Sequence, residues 1–248
     1  MISKAKVKHL KALQVKKYRK EQQCFVVEGT KSVVELLQSD FDVLWVAATE
    51  WFITAHQNLL NHRKVEFVVA TASELQTAGS FQTNEGALAV ARMKGNIAPR
   101  LGQQELALAL DDIRDPGNLG TIIRTADWYG IKHIIASDET ADLYNAKVLS
   151  STMGSFCRVH VFYTNLAAFI SGYFGPVLGA CMDGHDVHQV KLPAGGLLVI
   201  GNEANGISDA VEKLVTQRIT IPRIGGAESL NAAIATGILL DVIMQSKK

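Results

Sequence analysis

Six short apolar runs punctuate the C-terminal half of this chain: "LALAL" from Leu106, "HIIAS" from His133, "VHVFY" from Val159, "PVLGAC" from Pro176, "GLLVIG" from Gly196 and "RITIP" from Arg218. Each is strand length and mostly apolar; "RITIP" alternates polar with apolar residues, whereas "LALAL" and "GLLVIG" are apolar throughout. Strands this uniformly apolar are buried on both faces, which requires a parallel sheet with helices layered above and below it. The segments between the runs have helix-like patterning, so the expected class is α/β with a parallel sheet.

The N-terminal part alternates in the same way on a smaller scale. "CFVVEGTKSVVELLQSDFDVLWVAAT", from Cys24, reads as strand, Glu-Gly turn, a helix with Val33, Val34, Leu36 and Leu37 inward, and a second strand. "VEFVVA" then gives another strand, Thr71 a hydroxyl suited to cap a short helix, and "GALAVARM" a closing strand. At 248 residues the chain is long enough for two compact units. Periodicity lapses in "KGNIAPRLGQQE", so the expected division is a small domain over residues 1–92, a linker over 93–105 and a larger domain over 106–248.

The formal charge of +1 conceals a local asymmetry, because Lys4, Lys6, Lys8, Lys11, Lys16, Lys17, Arg19 and Lys20 precede the first acidic residue. Such a run is either a solvated helix face or a phosphate-binding patch, for which Lys8, Lys16, Lys17, Arg19 and Lys20 are the candidates. These lysines are not followed by the apolar segment of a secretory signal, and no stretch approaches the roughly 20 apolar residues of a membrane span. The expected location is therefore cytoplasmic, with no membrane partner. Cys24, Cys157 and Cys181 lack paired spacing and read as reduced thiols. "DGHDVHQ" places His185 and His188 beside Asp183 and Asp186, but a polar turn explains it, and no metal is assigned. His133 and His160 border apolar runs and read as structural.

Three of the apolar runs end in glycine loops that lead into helices. "LALAL" passes through Asp111 and Asp112 to "DPGNLGTIIRTADWYG"; "GLLVIG" continues as "NEANGIS"; "RITIP" continues as "RIGGAESLNAAIATGILL". Turns at the carboxyl ends of parallel strands are where α/β proteins bind ligands, since helix N-terminal amides point into the crevice. The spacing matches neither the dinucleotide fingerprint nor a phosphate loop, which disfavours a nucleotide-dependent oxidoreductase. Arg124 lies among Ile122, Ile123 and Ala126 and wants an anionic partner, either Asp111, Asp112 or Asp127 within the chain or a phosphate outside it. Glu203 reads as a helix or loop cap or as a ligand-facing carboxylate. Ser229 reads as a helix cap, with Asn231 in the first turn, or as part of a site.

"DPGNLGTIIRTA", "VIGNEANGIS" and "IPRIGGAESLNAAIA", in that order, resemble the three motifs of the SpoU-type (TrmH-like) RNA ribose 2'-O-methyltransferases of the SPOUT superfamily. The N-terminal "KYRKEQQCFVVEGTKSVVELL" is similar, more loosely, to the small L30e-like domain related to ribosomal proteins that bind kinked RNA. The resemblance implies a C-terminal SPOUT domain with a parallel sheet and a deep trefoil knot, preceded by a small α/β RNA-binding domain. It implies S-adenosylmethionine as cofactor, held by Gly201, Asn202, Glu203, Ile221 and Leu230 largely through main-chain groups, and an active site of Asn118, Arg124, Glu203, Ser229 and Asn231. It also implies a homodimer without a metal, acting on structured RNA. Many relatives continue the last motif as Ser-Leu-Asn-Val-Ser, whereas this chain has Ala232 and Ala233.

The reaction implied is transfer of a methyl group from S-adenosylmethionine to a ribose 2'-hydroxyl. An appended domain that reads RNA shape favours ribosomal over transfer RNA. Arginine is a poor base at neutral pH, so Arg124 is expected to act through charge, with the proton leaving by phosphate or water. The alternative is a non-catalytic RNA-binding relative that keeps the fold and the cofactor pocket; retention of Asn118, Arg124, Glu203, Ser229 and Asn231 argues against it.

Overall fold

The computed structural model describes residues 1–81 and 83–246. In chain order these form α1 (Lys4–Leu13), α2 (Lys16–Gln22), β1 (Cys24–Glu28), α3 (Thr30–Gln38), β2 (Val43–Ala48), α4 (Glu50–Ala55), α5 (Gln57–Arg63), β3 (Glu66–Val69), α6 (Ala72–Ala78) and β4 (Ala87–Arg92). There follow β5 (Leu106–Leu110), α7 (Pro116–Trp128), β6 (His133–Ala136), α8 (Ala146–Thr152), β7 (His160–Tyr163), α9 (Leu166–Ser171), β8 (Val177–Asp186), β9 (Gly196–Ile200), α10 (Asp209–Glu212), β10 (Gln217–Thr220) and α11 (Ala232–Gln245).

The chain divides into two compact units, Met1–Gly95 with Asp142–Cys157, and Asn96–Ala141 with Arg158–Lys248. The division is thus not continuous in sequence: α8 follows β6 along the chain but packs with the first unit, against β1.

The first unit is built on a four-stranded sheet of order β1-β4-β2-β3, in which β4 runs antiparallel to both neighbours and β2 and β3 are parallel. The expected helix after the Glu-Gly turn is α3, with Val33, Leu36 and Leu37 buried and Val34 at the margin. Thr71 caps α6 in a reciprocal capping box with Glu74, which satisfies two otherwise orphaned amides. Leu10 and Leu13 of α1 join Cys24, Val26, Trp45, Leu88 and Val90 in the core. Lys8, Lys16, Lys17 and Lys20 stay on the surface.

Arg19 does not join those lysines. It is only 3 % exposed, donating from Nη1 to the carbonyls of Leu13 (3.0 Å) and Gln14 (2.8 Å) and from Nη2 to Asp142 Oδ2 at 2.6 Å. The phosphate-binding role expected for Arg19 is corrected on this ground. A guanidinium whose fork closes the α1–α2 corner and clamps Asp142 is not presented to a ligand.

The second unit holds a six-stranded sheet of order β10-β8-β9-β5-β6-β7, parallel throughout. All six apolar runs became its strands, and the central β5 and β9 are buried along their whole length. The turn expected over "DGHDVHQ" begins later than that: Asp183 to Asp186 are the end of β8, and the chain turns only after them, where Asp186 Oδ1 accepts the His188 amide at 2.9 Å and Oδ2 accepts from Gln189 Nε2 at 3.0 Å, while Asp183 pairs with Arg218. The rings of His133 and His160 meet edge to face across β6 and β7. Among the described residues no helix is long and apolar enough to cross a membrane.

Breaking a buried ion pair by removing one partner leaves the other charge desolvated and uncompensated. Asp142→Ala should therefore destabilise the chain by about 3 kcal/mol, at the lower end of the range for such pairs because Asp142 keeps some contact with water. Urea unfolding followed by circular dichroism measures this; a midpoint equal to that of wild type would show that the Arg19 clamp contributes nothing.

Candidate active site

The strand order reverses next to β5: β6 and β7 extend the sheet on one side, and β9, β8 and β10 on the other. Parallel pairing in the register Leu110↔Ile200 brings the C-terminal ends of β5 and β9 level, so the loops beginning at Asp111 and Gly201 emerge side by side. This is the topological switch point at which open α/β sheets form their binding crevice.

The acidic pair after β5 builds the crevice rather than lining it. Asp111 is buried; its amide donates to Ile200 at 2.9 Å and its Oδ2 accepts the Ser208 amide at 2.7 Å. Asp112 takes a left-handed conformation, φ +61°, donates its amide to Ser137 Oγ at 3.0 Å and offers its carbonyl to Asn202 Nδ2 at 2.8 Å. Aspartate tolerates this backbone region better than most residues. Asp115 then caps α7 by accepting the Asn118 amide at 2.9 Å, and Pro116 occupies the first turn, where its missing N–H costs nothing. The side chain of Asn118 is thereby fixed at the crevice mouth.

The second loop closes on itself. Asn202 and Gly206 exchange main-chain hydrogen bonds of 2.9 and 2.8 Å, Gly206 sits at φ +69°, and Asn202 Oδ1 accepts the amides of Ala204 and Asn205. A Cβ on Gly201 would run into the main chain of Gly206 and Ile207, so only glycine admits this turn. Glu203 is carried exposed at its tip. The polar groups of Asn202 are engaged in the loops, which leaves it a structural part in this arrangement.

The third loop delivers Asn231. The helix cap is Asn231 itself, not Ser229: Asn231 Oδ1 accepts the amides of Ala233 (3.0 Å) and Ile234 (3.3 Å), and α11 begins at Ala232. Its Nδ2 donates to Asn118 Oδ1 at 2.8 Å, while Asn118 Nδ2 donates to Glu203 Oε1. Asn231 Nδ2 and the Ala232 amide each lie 3.5 Å from the same Glu203 oxygen, so the carboxylate also sits at the positive end of α11. Asn118 from the first turn of α7, Glu203 from the loop after β9 and Asn231 from the cap of α11 close one ring of hydrogen bonds. Among the described residues Glu203 Oε2 has no partner.

Arg124 and Ser229 stand outside this ring. Arg124 is exposed, not buried among its apolar neighbours, and has no hydrogen bond or ion pair among the described residues. The acids considered for it are committed elsewhere: Asp111 to Ser208, Asp112 to Arg114 Nε at 2.6 Å, and Asp127 to Arg158. At about 100° and about 1.5 Å per residue, Arg124 lies about 9 Å along α7 and about 120° around it from Asn118. That puts it on an open stripe with Thr121 and Trp128, the latter 85 % exposed. Ser229 is exposed without a hydrogen bond among the described residues. Ile221 is half-buried and Leu230 exposed, on the segment that leads from β10 to Asn231.

Reasoning from sequence overlooked the ties that hold the crevice open: the Asp111 clasp on Ser208, the left-handed Asp112 and the self-closing Asn202 turn. The Asn-Gly pair at 205–206 was a readable sign of the last. The first two had none, because they pair residues far apart in the chain. Among the described residues no three His, Cys, Asp or Glu side chains group as metal ligands.

Comparison with known proteins bears on the same segments. Residues 4–89 match the MRM3-like substrate binding domain. A curated relative, 23S rRNA (guanosine(2553)-2'-O)-methyltransferase RlmP of Bacillus subtilis, is 31 % identical over 95 % of this chain and 94 % of its own length. A solved TrmH-family structure from Porphyromonas gingivalis superposes with a TM-score of 0.84 at 33 % identity, covering 98 % of each chain. An AdoMet-bound rRNA methyltransferase from Sinorhizobium meliloti gives 0.86 at 29 % identity, covering 99 % of this chain and 96 % of the other. Residues 105–241, which contain all three loops of the hydrogen-bonded ring, match the SpoU rRNA Methylase family, and the chain belongs to that family.

Proposed function

We propose that this chain transfers the methyl group of S-adenosylmethionine to a ribose 2'-hydroxyl of ribosomal RNA. The observation that supports this most strongly is the Asn118–Glu203–Asn231 ring at the mouth of three glycine loops, inside the segment that matches the SpoU family. A relative matched over 95 % of this chain is named as a 2'-O-methyltransferase of 23S rRNA.

The loop after β10 has the chemistry to hold the cofactor. None of the main-chain amides of residues 223–230 donates to another group among the described residues, and side chains built at Gly225 or Gly226 would meet nothing. Ile224 and Leu230 leave apolar surface open beside these unused donors. Such a segment fits an adenosyl group read through main-chain contacts, with Gly201, Ile221 and Leu230 as its holders. When bound, S-adenosylmethionine supplies an activated methyl on a sulfonium.

The chain's own task is then positioning. Near-attack geometry alone is worth roughly 7 to 11 kcal/mol in such reactions. Glu203 Oε2 accepts the hydrogen bond of the 2'-hydroxyl and turns an oxygen lone pair outward, while Asn118 and Asn231 hold the carboxylate still. Arg124 contributes charge to the substrate phosphate and the developing alkoxide, and the proton leaves to phosphate or water. Lys8, Lys16, Lys17 and Lys20 face solvent and supply phosphate contacts.

The same reading includes a homodimer. Trp128 on α7 and Ile234 on α11 are 85 % and 55 % exposed on helices that pack together, and a second copy laid over them would cover apolar surface that water otherwise meets. Arg124, on the stripe with Trp128, would stand at the rim of that interface. Family membership also supports a trefoil knot formed by the last two loops, and the bacterial relative's ribosomal RNA substrate is in keeping with a cytoplasmic setting.

Calorimetry should show one S-adenosylmethionine taken up per folded chain, and no uptake would overturn the proposal. Glu203→Ala should lower kcat by about 100-fold, as loss of one positioned polar group does, with the melting curve little changed. Arg124→Ala should lose about 100- to 1,000-fold, with Arg124→Lys recovering part of this and keeping the alkaline limb of the pH-rate profile. Loss of that limb in the lysine variant would instead make arginine the proton acceptor. Trp128→Glu should shift the sedimenting species from dimer to monomer; an unchanged coefficient would move the interface elsewhere.

A further inference from the structure

The first unit contains a cavity of about 590 Å³ lined by Gly29, Thr30, Thr49, Trp51, Asn84 and Glu85, among others. Its position follows from the sheet. Because β4 lies antiparallel between β1 and β2, the C-terminal ends of β1 and β2 and the start of β4 meet at one end of the sheet. The volume is in the range of small-molecule sites.

The walls of the cavity are held in place by hydrogen bonds that the core of the unit supplies. Gly29 donates its amide to Ala87 and Thr49 to Gly86, both at 3.0 Å. Buried Asn84 donates to the Ala87 carbonyl at 3.0 Å and accepts the Gly86 amide at 3.2 Å. Behind them Glu28 accepts the amides of Ser80 and Phe81, and burial pushes its carboxyl above the usual range. Gly29 sits at φ +90°, and a Cβ on Gly86 would strike Thr30, so both glycines are needed for this shape.

Against this fixed polar frame stands Trp51, 62 % exposed on α4, with an indole N–H that has no acceptor among the described residues. The Glu85 carboxylate, also exposed, has no partner among them either. An indole that is largely exposed and meets the ring of His56 near-perpendicularly at 6.4 Å, next to hydroxyls and an acceptor-only carboxylate, suits a flat ring whose edge carries adjacent N–H donors. Lys31, exposed in the first turn of α3, supplies a cation close by for a phosphate.

We infer that this cavity receives one unpaired base of the RNA, stacked on Trp51 with its donor edge on Glu85, and that it prefers guanine. Guanine presents two neighbouring donors to a carboxylate, whereas adenine, uracil and cytosine do not. The inference rests on RNA being the substrate and adds a point of base recognition that is independent of methyl transfer.

The test is fluorescence anisotropy of the full-length chain with labelled short RNA hairpins that differ only in one loop nucleotide, guanosine, adenosine, uridine or cytidine. Trp51→Ala should weaken binding of the guanosine hairpin roughly ten- to a hundredfold, the range expected when base stacking is lost, and Trp51→Phe should restore most of it. Glu85→Gln should reduce the preference for guanosine without abolishing binding. Trp51 is largely exposed, so an unchanged melting curve should accompany these effects. If Trp51→Ala binds all four hairpins within twofold of wild type, while a Lys16→Ala, Lys17→Ala double variant binds them less tightly, the cavity is not a base site. Methylation of ribosomal RNA is scored separately: a wild type that binds through Trp51 but transfers no methyl would sink the proposed reaction and leave the base site standing.

Discussion

Everything at the active site depends on the parallel pairing of β5 with β9. That register sets Leu110 beside Ile200, and the two loops it brings together are locked by one buried carboxylate, Asp111, which accepts the Ser208 amide across the seam. A carboxylate taken out of water is costly unless it is hydrogen-bonded, and bonds to charged groups are worth about 1.5–3 kcal/mol each. The seam is therefore stable in one alignment and poor in others. Asp112 continues it through its own carbonyl to Asn202. The loops that leave β5 and β9 stand where the strand order reverses, with β6 and β7 on one side of β5 and β9 and β8 on the other.

What this frame positions is a small network with a single formal charge. Asn118 both donates and accepts, to Glu203 and from Asn231, and Asn231 spends its remaining oxygen on the first turn of α11. Each member is oriented by the other two and by a helix end, which is how exposed side chains can be held with little mobility. The change from the family's usual Val-Ser to Ala232 and Ala233 leaves this ring intact, since both residues contribute only main-chain amides to it.

The N-terminal unit shows how context divides residues that look alike. Arg19 lies within a run of lysines and shares their charge, yet it is drawn inside by two carbonyls and Asp142. Lysine would not serve there, because the fork of a guanidinium reaches both the helix corner and the carboxylate at once. Asp142 belongs to a stretch that returns to the first unit from deep within the sequence of the second. A boundary drawn where periodicity lapses, at residues 93–105, has no access to such a return.

The sequence alone determined the parts that are local. Runs such as "LALAL" and "GLLVIG" specify strands buried on both faces, and Thr71 with Glu74 specifies a capped helix start, because each rests on main-chain geometry over a few neighbouring residues; the turn expected at Pro116 and Gly117 is instead the first turn of α7, capped by Asp115. Motif order was likewise legible, and with it the family. Only the tertiary structure decided that Asn118, Glu203 and Asn231 touch while Arg124 and Ser229 do not. It also decided that Arg19 is buried, that Asp111 clasps Ser208, and that Trp51 opens onto a cavity. Those outcomes depend on strand order and on which helix face finds cover, and both are settled by packing between segments that carry no mark of one another in the chain.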